Sequence, residues 1–338
     1  MGCICEKAYV PEEEPLQLNL NSDMSMMHPS HKERTPTSHL VTSVLPKDDI
    51  PDFVIRFYGV INNNQYLYCI HNNYKDIFFC SNCVYTVERT KFYIPNNVRT
   101  IHNLLRGDKH VLISHKIYYI HLTGTNGLLI QWMPLCDVGD LWHFCFKEKR
   151  SKEIDIDGFV FTLATTLRTC HQKGIFLMDI KMENILGTTR EHGIDWCFAD
   201  IEYAFVDVDF IDDESDLEQV RRYRMQMKNQ YKWIKTKEYL PDFTYPYSRS
   251  LAVRNDVYAF ARCLGTLICY QRYGQANTMF FGGDGGKVYD NREAVNFIMD
   301  DEYIRLCGDC VIEYEKYANG TFLDRLIDIS RPRPDGAF

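Results

Sequence analysis

Residues 170–186 read C-H-Q-K-G-I-F-L-M-D-I-K-M-E-N-I-L, and how this stretch is read decides the fold. Upstream of it Phe159, Leu163, Leu167 and Cys170 recur at near-helical spacing, which predicts an amphipathic helix whose apolar stripe faces a core. The stretch joins that helix to a short apolar strand. Between the two it places Asp179, with Lys181 two residues on and Asn184 five residues on.

Those three residue types suit one kind of chemistry. A carboxylate can take a hydroxyl proton, a lysine can neutralise a transferring phosphoryl group, and an asparagine can ligate a magnesium ion. The stretch resembles the catalytic loop of eukaryotic-type protein kinases, L-H-x-x-G-I-x-H-R-D-L-K-x-E-N, with His171 and Gly174 in register. The family's His-Arg before the catalytic Asp is Leu177-Met178 here. The resemblance implies an α+β, two-lobed kinase-like fold. Residues 1–49 would form a tail, 50–134 a small lobe built on an antiparallel sheet, and 135–338 a larger, mainly helical lobe. The degree of drift is similar to that of protein kinases of large DNA viruses, herpesvirus-like ones among them.

The composition of the 338 residues is compatible with this size and class: 45% are apolar, and the net charge is −8. An acidic balance argues against a general nucleic-acid binder, which needs a basic face. No apolar run approaches the roughly 18–20 residues of a membrane-spanning helix. No charged-then-apolar leader opens the sequence, and the 13 cysteines are odd in number and scattered. Reduced thiols and an intracellular, cytoplasmic setting are therefore expected. Two C-x-x-C pairs, Cys80/Cys83 and Cys307/Cys310, could in principle share a zinc ion, but their separation along the chain favours coincidence.

The opening Met-Gly-Cys-Ile-Cys leaves two readings of the tail. Gly2 could carry a myristoyl chain and Cys3 and Cys5 palmitoyl chains, which together would attach the chain to a membrane. Alternatively, residues 1–49 are a plain disordered tail. Glu6 in place of Ser or Thr, and Glu12 to Glu14, count against acylation.

From about Asp52 the sequence turns β-rich. Residues 66–71, 76–80 and 83–89 predict a three-strand meander broken by N-N and S-N turns. In the resemblance the first turn is the phosphate-covering loop, but I-H-N-N-Y-K-D-I-F (70–78) contains no glycine. The third strand, V-Y-T-V-E-R (84–89), has Glu88 where the family has its phosphate-gripping lysine. The helix expected at 96–105 has Arg99 where the lysine's glutamate partner belongs, so the two charges look exchanged. Kinases of the with-no-lysine group supply the cation from the glycine loop, and Lys75 falls in that slot; the alternative is an exposed turn lysine.

Residues 111–120 and 128–133 predict two further strands. The second leads into Q-W-M-P-L-C-D-V-G-D-L (131–141), similar to the family's adenine-binding hinge, where Asp140 or else Asp137 would bind ribose. The alternative for each is a helix N-cap. Residues 184–186 and 195–198 predict two short strands about Gly193, ending in C-F-A-D-I-E-Y-A-F (197–205). This resembles the metal-binding D-F-G strand, with Asp200 as the Asp, Ile201 for Phe and Glu202 for Gly. An acid-rich segment follows, then Pro241-Asp242, whose partner would be Arg331 or Arg333. R-N-D-V-Y-A-F-A-R-C-L-G-T-L-I-C (254–269) resembles the buried axial helix of the large lobe. There Asp256 would accept backbone N–H bonds from the loop. F-G-G-D-G-G-K (281–287) reads as a flexible loop, and F-L-D-R-L-I-D-I-S-R-P-R-P (322–334) as the last helix.

The resemblance thus implies a Ser/Thr kinase acting on a protein substrate with ATP and Mg²⁺. Asp179 and Lys181 would be catalytic, Lys75, Asp140, Asn184 and Asp200 would bind the cofactor, and Asn184 and Asp200 would hold the metal. The alternative is a pseudokinase, a binding or scaffold protein of the same shape, favoured by Glu88, Arg99, Glu202 and the glycine-free loop. A small-molecule phosphotransferase is a third reading, since D-I-E-Y is similar to the metal loop of choline-type kinases.

Overall fold

The computed structural model describes residues 52–63, 65–71, 75–90, 101–121, 127–201, 204–207, 209, 218, 221, 239, 248–274, 301–312 and 320–332. Gly2, Cys3, Cys5, Asn72, Asn73, Arg99, Glu202, Pro241, Asp242, Arg333 and the 281–287 segment lie outside the described residues. The chain divides into two compact units, residues 1–65 and 66–338.

The described part of the first unit is helix α1 (Asp52–Asn62), where the sequence had suggested the start of a β-rich region. Its aromatic and β-branched composition favours a strand, but Val54, Phe57 and Ile61 follow helical spacing, and the spacing prevails. Asp52 in the first turn complements the positive end of the helix dipole.

The second unit is mixed α+β. Its strands β1 (Tyr68–His71), β2 (Lys75–Phe79), β3 (Cys83–Thr90), β4 (Lys116–His121) and β5 (Gly127–Pro134) form a small antiparallel sheet in the order β1-β2-β3-β5-β4. The expected meander is present with its ends shifted by a residue or two. The strand expected from Val111 starts later, and Val111 itself makes an isolated bridge to Phe198. Ser81-Asn82 close a two-residue hairpin between β2 and β3, with the Cys80 N–H donating to the Cys83 carbonyl at 2.9 Å. β3 is paired on both sides, and Val84 to Val87 are all buried, as a continuous run of β-branched and aromatic residues in an inner strand requires; Glu88 is buried after them. Alternation puts Lys75, Ile77 and Phe79 on one face with Val84, Thr86 and Glu88. Phe78, Cys80, Cys83, Tyr85 and Trp132 lie on the other.

The rest of the unit is built around two helices. Helix α2 (Ile156–Gln172) buries Phe159, Leu163, Leu167 and Cys170, the stripe read from the sequence. Helix α3 (Arg249–Tyr273) starts at Ser248, whose hydroxyl accepts the Leu251 N–H, and ends at Gly274 in the left-handed region at φ 68°. Nearly every residue from Ala252 to Cys269 is buried, so α3 runs through the core rather than across a surface. Helix α4 (Glu302–Ile312) packs on α3, and α5 (Thr321–Ser330) packs on α2. Short strands complete the frame: β6 (Gly139–Asp140), β8 (Ile185–Arg190) and β9 (Gly193–Phe198) form one sheet, and β7 (Ile175–Phe176) pairs with β10 (Phe205–Val206). Among the described residues no helix is long and apolar enough to cross a membrane.

Candidate functional site

The loop between β7 and β8 is held from beneath by one carboxylate. Asp256 on α3 is fully buried, and three donors converge on it. Oδ2 accepts the Leu177 N–H at 2.8 Å and lies 2.9 Å from His171 Nε2, while Oδ1 accepts the Met178 N–H at 2.7 Å. A buried carboxylate is tolerable only when its lone pairs are engaged in this way. The bonds tie the end of α2, the exit of β7 and the middle of α3 to one point. Arg249 adds a second tie, donating to the His171 carbonyl at 2.8 Å and lying 3.8 Å from Asp207.

Leu177 and Met178, where the kinase resemblance has His-Arg, are buried among the apolar side chains of the core. Met178 has φ 68°, a conformation that costs a side-chain-bearing residue about 1 kcal/mol or more and persists where its surroundings impose it. The two N–H bonds to Asp256 are such an imposition, and they aim the next residue, Asp179, out of the core.

Asp179 then gathers the other two residues of the motif. Its Oδ2 accepts Lys181 Nζ at 2.7 Å and Asn184 Nδ2 at 2.9 Å, and the same Asn184 nitrogen donates to the Asp179 carbonyl at 2.9 Å. Asn184 closes a 3₁₀ turn (Met182–Asn184), and its own carbonyl accepts the Ala199 N–H at 2.8 Å. That bond fastens the loop to the end of β9 and so to Asp200, the next residue.

Asp200 also has positive φ, 59°. Its Oδ1 is 2.6 Å from Lys75 Nζ, with 18% of the lysine side chain and 32% of the aspartate side chain exposed. Two groups are thus formed, Asp179 with Lys181 and Asn184, and Asp200 with Lys75, and the Ala199 N–H bond to the Asn184 carbonyl fastens the loop of the first to the strand end of the second. Glu88 stands directly opposite Lys75 in the β2–β3 register and is buried. The third-strand position that the resemblance reserves for a lysine thus carries an acid beside a lysine from the neighbouring strand.

The hinge carboxylates are placed differently. Asp140 Oδ1 accepts the His143 N–H at 2.8 Å, the capping contact weighed from the sequence, and Asp137 accepts the Thr189 N–H at 2.8 Å. Arg331, just past the end of α5, lies 3.5 Å from Asp328 in an exposed pair. The cysteine pairs lie in separate elements, Cys80/Cys83 at the β2–β3 hairpin and Cys307/Cys310 on α4. Among the described residues no cluster of three or more His, Cys, Asp or Glu side chains is arranged to hold a metal ion.

Three residues were not assigned these roles from the sequence. His171 fell in register with the family pattern, but nothing local named Asp256 as its partner. Arg249 sits at the first position of α3 and reads as an ordinary exposed basic residue. Tyr239 packs beneath Arg262, whose guanidinium is 5.8 Å from the ring centre, and bonds with the Met182 backbone; burial first, then the nearby Cys263 and Glu183, push its phenol above the usual range.

No protein-family model matches the chain, and no curated protein matches it.

Proposed function

We propose that the chain is a divergent protein kinase of two lobes, 50–134 and 135–338, that transfers the γ-phosphoryl group of ATP to Ser or Thr hydroxyls of a protein substrate. The observation that carries the reading is the 2.6 Å contact between Lys75 and Asp200. It supplies a cation from β2 to the motif that Glu88 leaves without one on β3.

The donor set suits Mg·ATP. Asn184 commits its Nδ2 to Asp179, which leaves its amide oxygen as a ligand for a hard cation, and Asp200 supplies a carboxylate oxygen. When bound, Mg·ATP supplies the phosphoryl group and neutralises its developing charge. The chain's own residues do the rest. Asp179 orients the acceptor hydroxyl and takes its proton. Lys181, 2.7 Å from Asp179, would neutralise the transferring group. Lys75 would hold the phosphates as a point charge, in the role a third-strand lysine would otherwise fill. Asp256 holds the loop so that these groups need little reorganisation on binding. Leu177 and Met178 provide no cation for a phosphorylated activation segment, so this reading has no switch of that kind.

Glu88, buried opposite Lys75, favours a second reading, a kinase-shaped binding protein without catalysis. One experiment separates the two. The purified full chain is incubated with Mg·ATP and casein, beside Asp179→Ala and Lys75→Ala variants. Phosphate incorporation by the parent, lost in both variants, supports the kinase. A thermal shift with Mg·ATP but no incorporation supports the binding protein. The absence of both sinks the nucleotide reading altogether.

A further inference from the structure

The β2–β3 hairpin carries a feature that phosphoryl transfer does not use. Phe79 pairs with Val84 at the last ladder position, so Cys80 and Cys83 are the next opposed residues, on the same face of the sheet and closed by the 2.9 Å Cys80 N–H to Cys83 carbonyl bond. In an antiparallel pair of that hydrogen-bonded kind the Cα atoms lie about 5.5 Å apart, inside the range of about 4.4–6.8 Å that a disulfide needs. Neither cysteine is in a disulfide.

The two thiols differ. Cys80 is 7% exposed, whereas Cys83 is half-buried and follows the exposed turn residues Ser81 and Asn82. Hydrogen bonding from the Cys80 thiol, and then from the Trp132 indole, outweighs desolvation and holds Cys83 below the ordinary thiol range, toward its thiolate. The same shared proton and burial hold Cys80 well above that range. Trp132 lies on the Cys83 face of the sheet, and its buried indole N–H has no oxygen or nitrogen acceptor among the described residues, so the Cys83 sulfur is the group it turns to.

We infer that Cys80 and Cys83 are a dithiol modification site that reacts with low-molecular-weight disulfides of the glutathione class, with Cys83 attacking and Cys80 resolving. In the first step the Cys83 thiolate attacks one sulfur of the small disulfide, whose S–S bond breaks and releases one thiolate. In the second, Cys80 gives up its proton and attacks the Cys83 sulfur, expelling the second small thiol. The net change is one protein dithiol oxidised to a disulfide and one small disulfide reduced to two thiols. The bond closes across the hairpin tip, on the face opposite Lys75 and Glu88. The site is therefore independent of the kinase reading and survives its failure.

The test uses the reduced full chain and glutathione disulfide, followed by alkylation of the remaining thiols and mass mapping of peptides. The parent is expected to lose two thiols and yield a Cys80–Cys83 cross-linked peptide. Cys80→Ser is expected to stall with one glutathione on Cys83, and Cys83→Ser to leave Cys80 unmodified. The modification rate should reach half its maximum near pH 7, against roughly pH 8.5 for an ordinary thiol. Closure should also quench indole emission reversibly in the parent and not in Trp132→Phe. A glutathione adduct that persists on Cys83 of the parent without closing would overturn the inference. So would oxidation of other cysteines while Cys80 and Cys83 remain thiols. The map of the parent decides the matter even where a variant fails to fold.

Discussion

The loop after β7 and the sheet that carries Lys75 hold their charged groups by opposite means. In the loop a single buried carboxylate, Asp256, gathers three donors, and the backbone it fixes then places Asp179, Lys181 and Asn184. In the sheet the charged residues sit on strands whose pairing is complete without them, and Lys75 reaches Asp200 across a partly exposed gap. The first arrangement cannot lose a member without leaving buried groups unpaired, whereas the Lys75–Asp200 contact is partly open to solvent, where water can replace a lost partner. In the proposed kinase, that difference would let the phosphate-binding cation sit on β2 rather than β3 while the loop keeps its order.

The largest expected effect follows from removing the anchor. Asp256→Ala leaves His171 Nε2 and the N–H groups of Leu177 and Met178 buried without their acceptor. It should lower unfolding stability by roughly 3–5 kcal/mol. Asp256→Asn keeps one accepting oxygen and should cost less. Urea unfolding of the full chain measures both. A loss below about 1 kcal/mol for the alanine variant would show that the loop is shaped by its apolar packing alone.

Removing Lys75 should do the reverse. In the proposed kinase, Lys75→Ala should reduce phosphoryl transfer by about 10²–10³-fold, the usual cost of one charge-stabilising group. Its melting temperature should fall less than that of Asp256→Ala, because the Lys75–Asp200 pair is partly exposed. A variant with full activity would break the contrast between the two regions, since Lys75 would then be a surface lysine.

The same contrast accounts for what could be read from the sequence. The stripe of α2, the Asp179 motif and the meander were legible because each depends on spacing within a short window. The buried course of α3 and the bonds from Asp256 to the loop backbone were expected only from the resemblance of residues 254–269 to a family pattern. The start of the chain's described part was misread: residues 52–62 have strand-like composition and helical spacing, and they form α1. Lys75 was a candidate among turn residues, but its 2.6 Å approach to Asp200 depends on how the sheet sits over the β9 end. The partners of His171 and Arg249 were hidden for the same reason, being set by helices far apart in sequence.

A pH titration probes the sheet's surroundings further. His102 lies in the helical turn 101–104, and desolvation holds its imidazole down at about 4, against an ordinary value near 6.5, despite an opposing bond with the Ser114 backbone. Ser114 in turn donates to Gln131 of β5 at 2.6 Å. The folded state binds this proton less readily than the unfolded state does. The contribution of His102 is therefore fully present above about pH 6.5 and is lost as the pH falls toward 4, by on the order of 3 kcal/mol at most. Unfolding measured between pH 7 and 4 should show a shallower decline in His102→Gln than in the parent. Equal slopes would mean that the imidazole is hydrated in the folded chain.

The smallest effect tests the bridge between the two regions most directly. A double-mutant cycle with Lys75→Met and Asp200→Asn isolates the coupling between their side chains. The pair should contribute about 0.5–1 kcal/mol to stability at low ionic strength, within the range of partly exposed ion pairs. Because 18% and 32% of the two side chains are exposed, the coupling should fall as salt is raised, since screening over about 10 Å at 0.1 M reaches such a pair. The Asp179–Lys181 pair, with side chains 12% and 20% exposed, provides the control, since it is fixed within one loop and should lose less coupling at the same salt. Zero coupling between Lys75 and Asp200 at low salt would mean that the two do not meet in solution. The sheet would then have no cation to offer Asp200, and the binding-protein reading would replace the kinase. A coupling that is present and salt-sensitive would place Lys75 where an exchangeable phosphate-binding cation has to be: close enough to reach Asp200, and weakly enough held to release it.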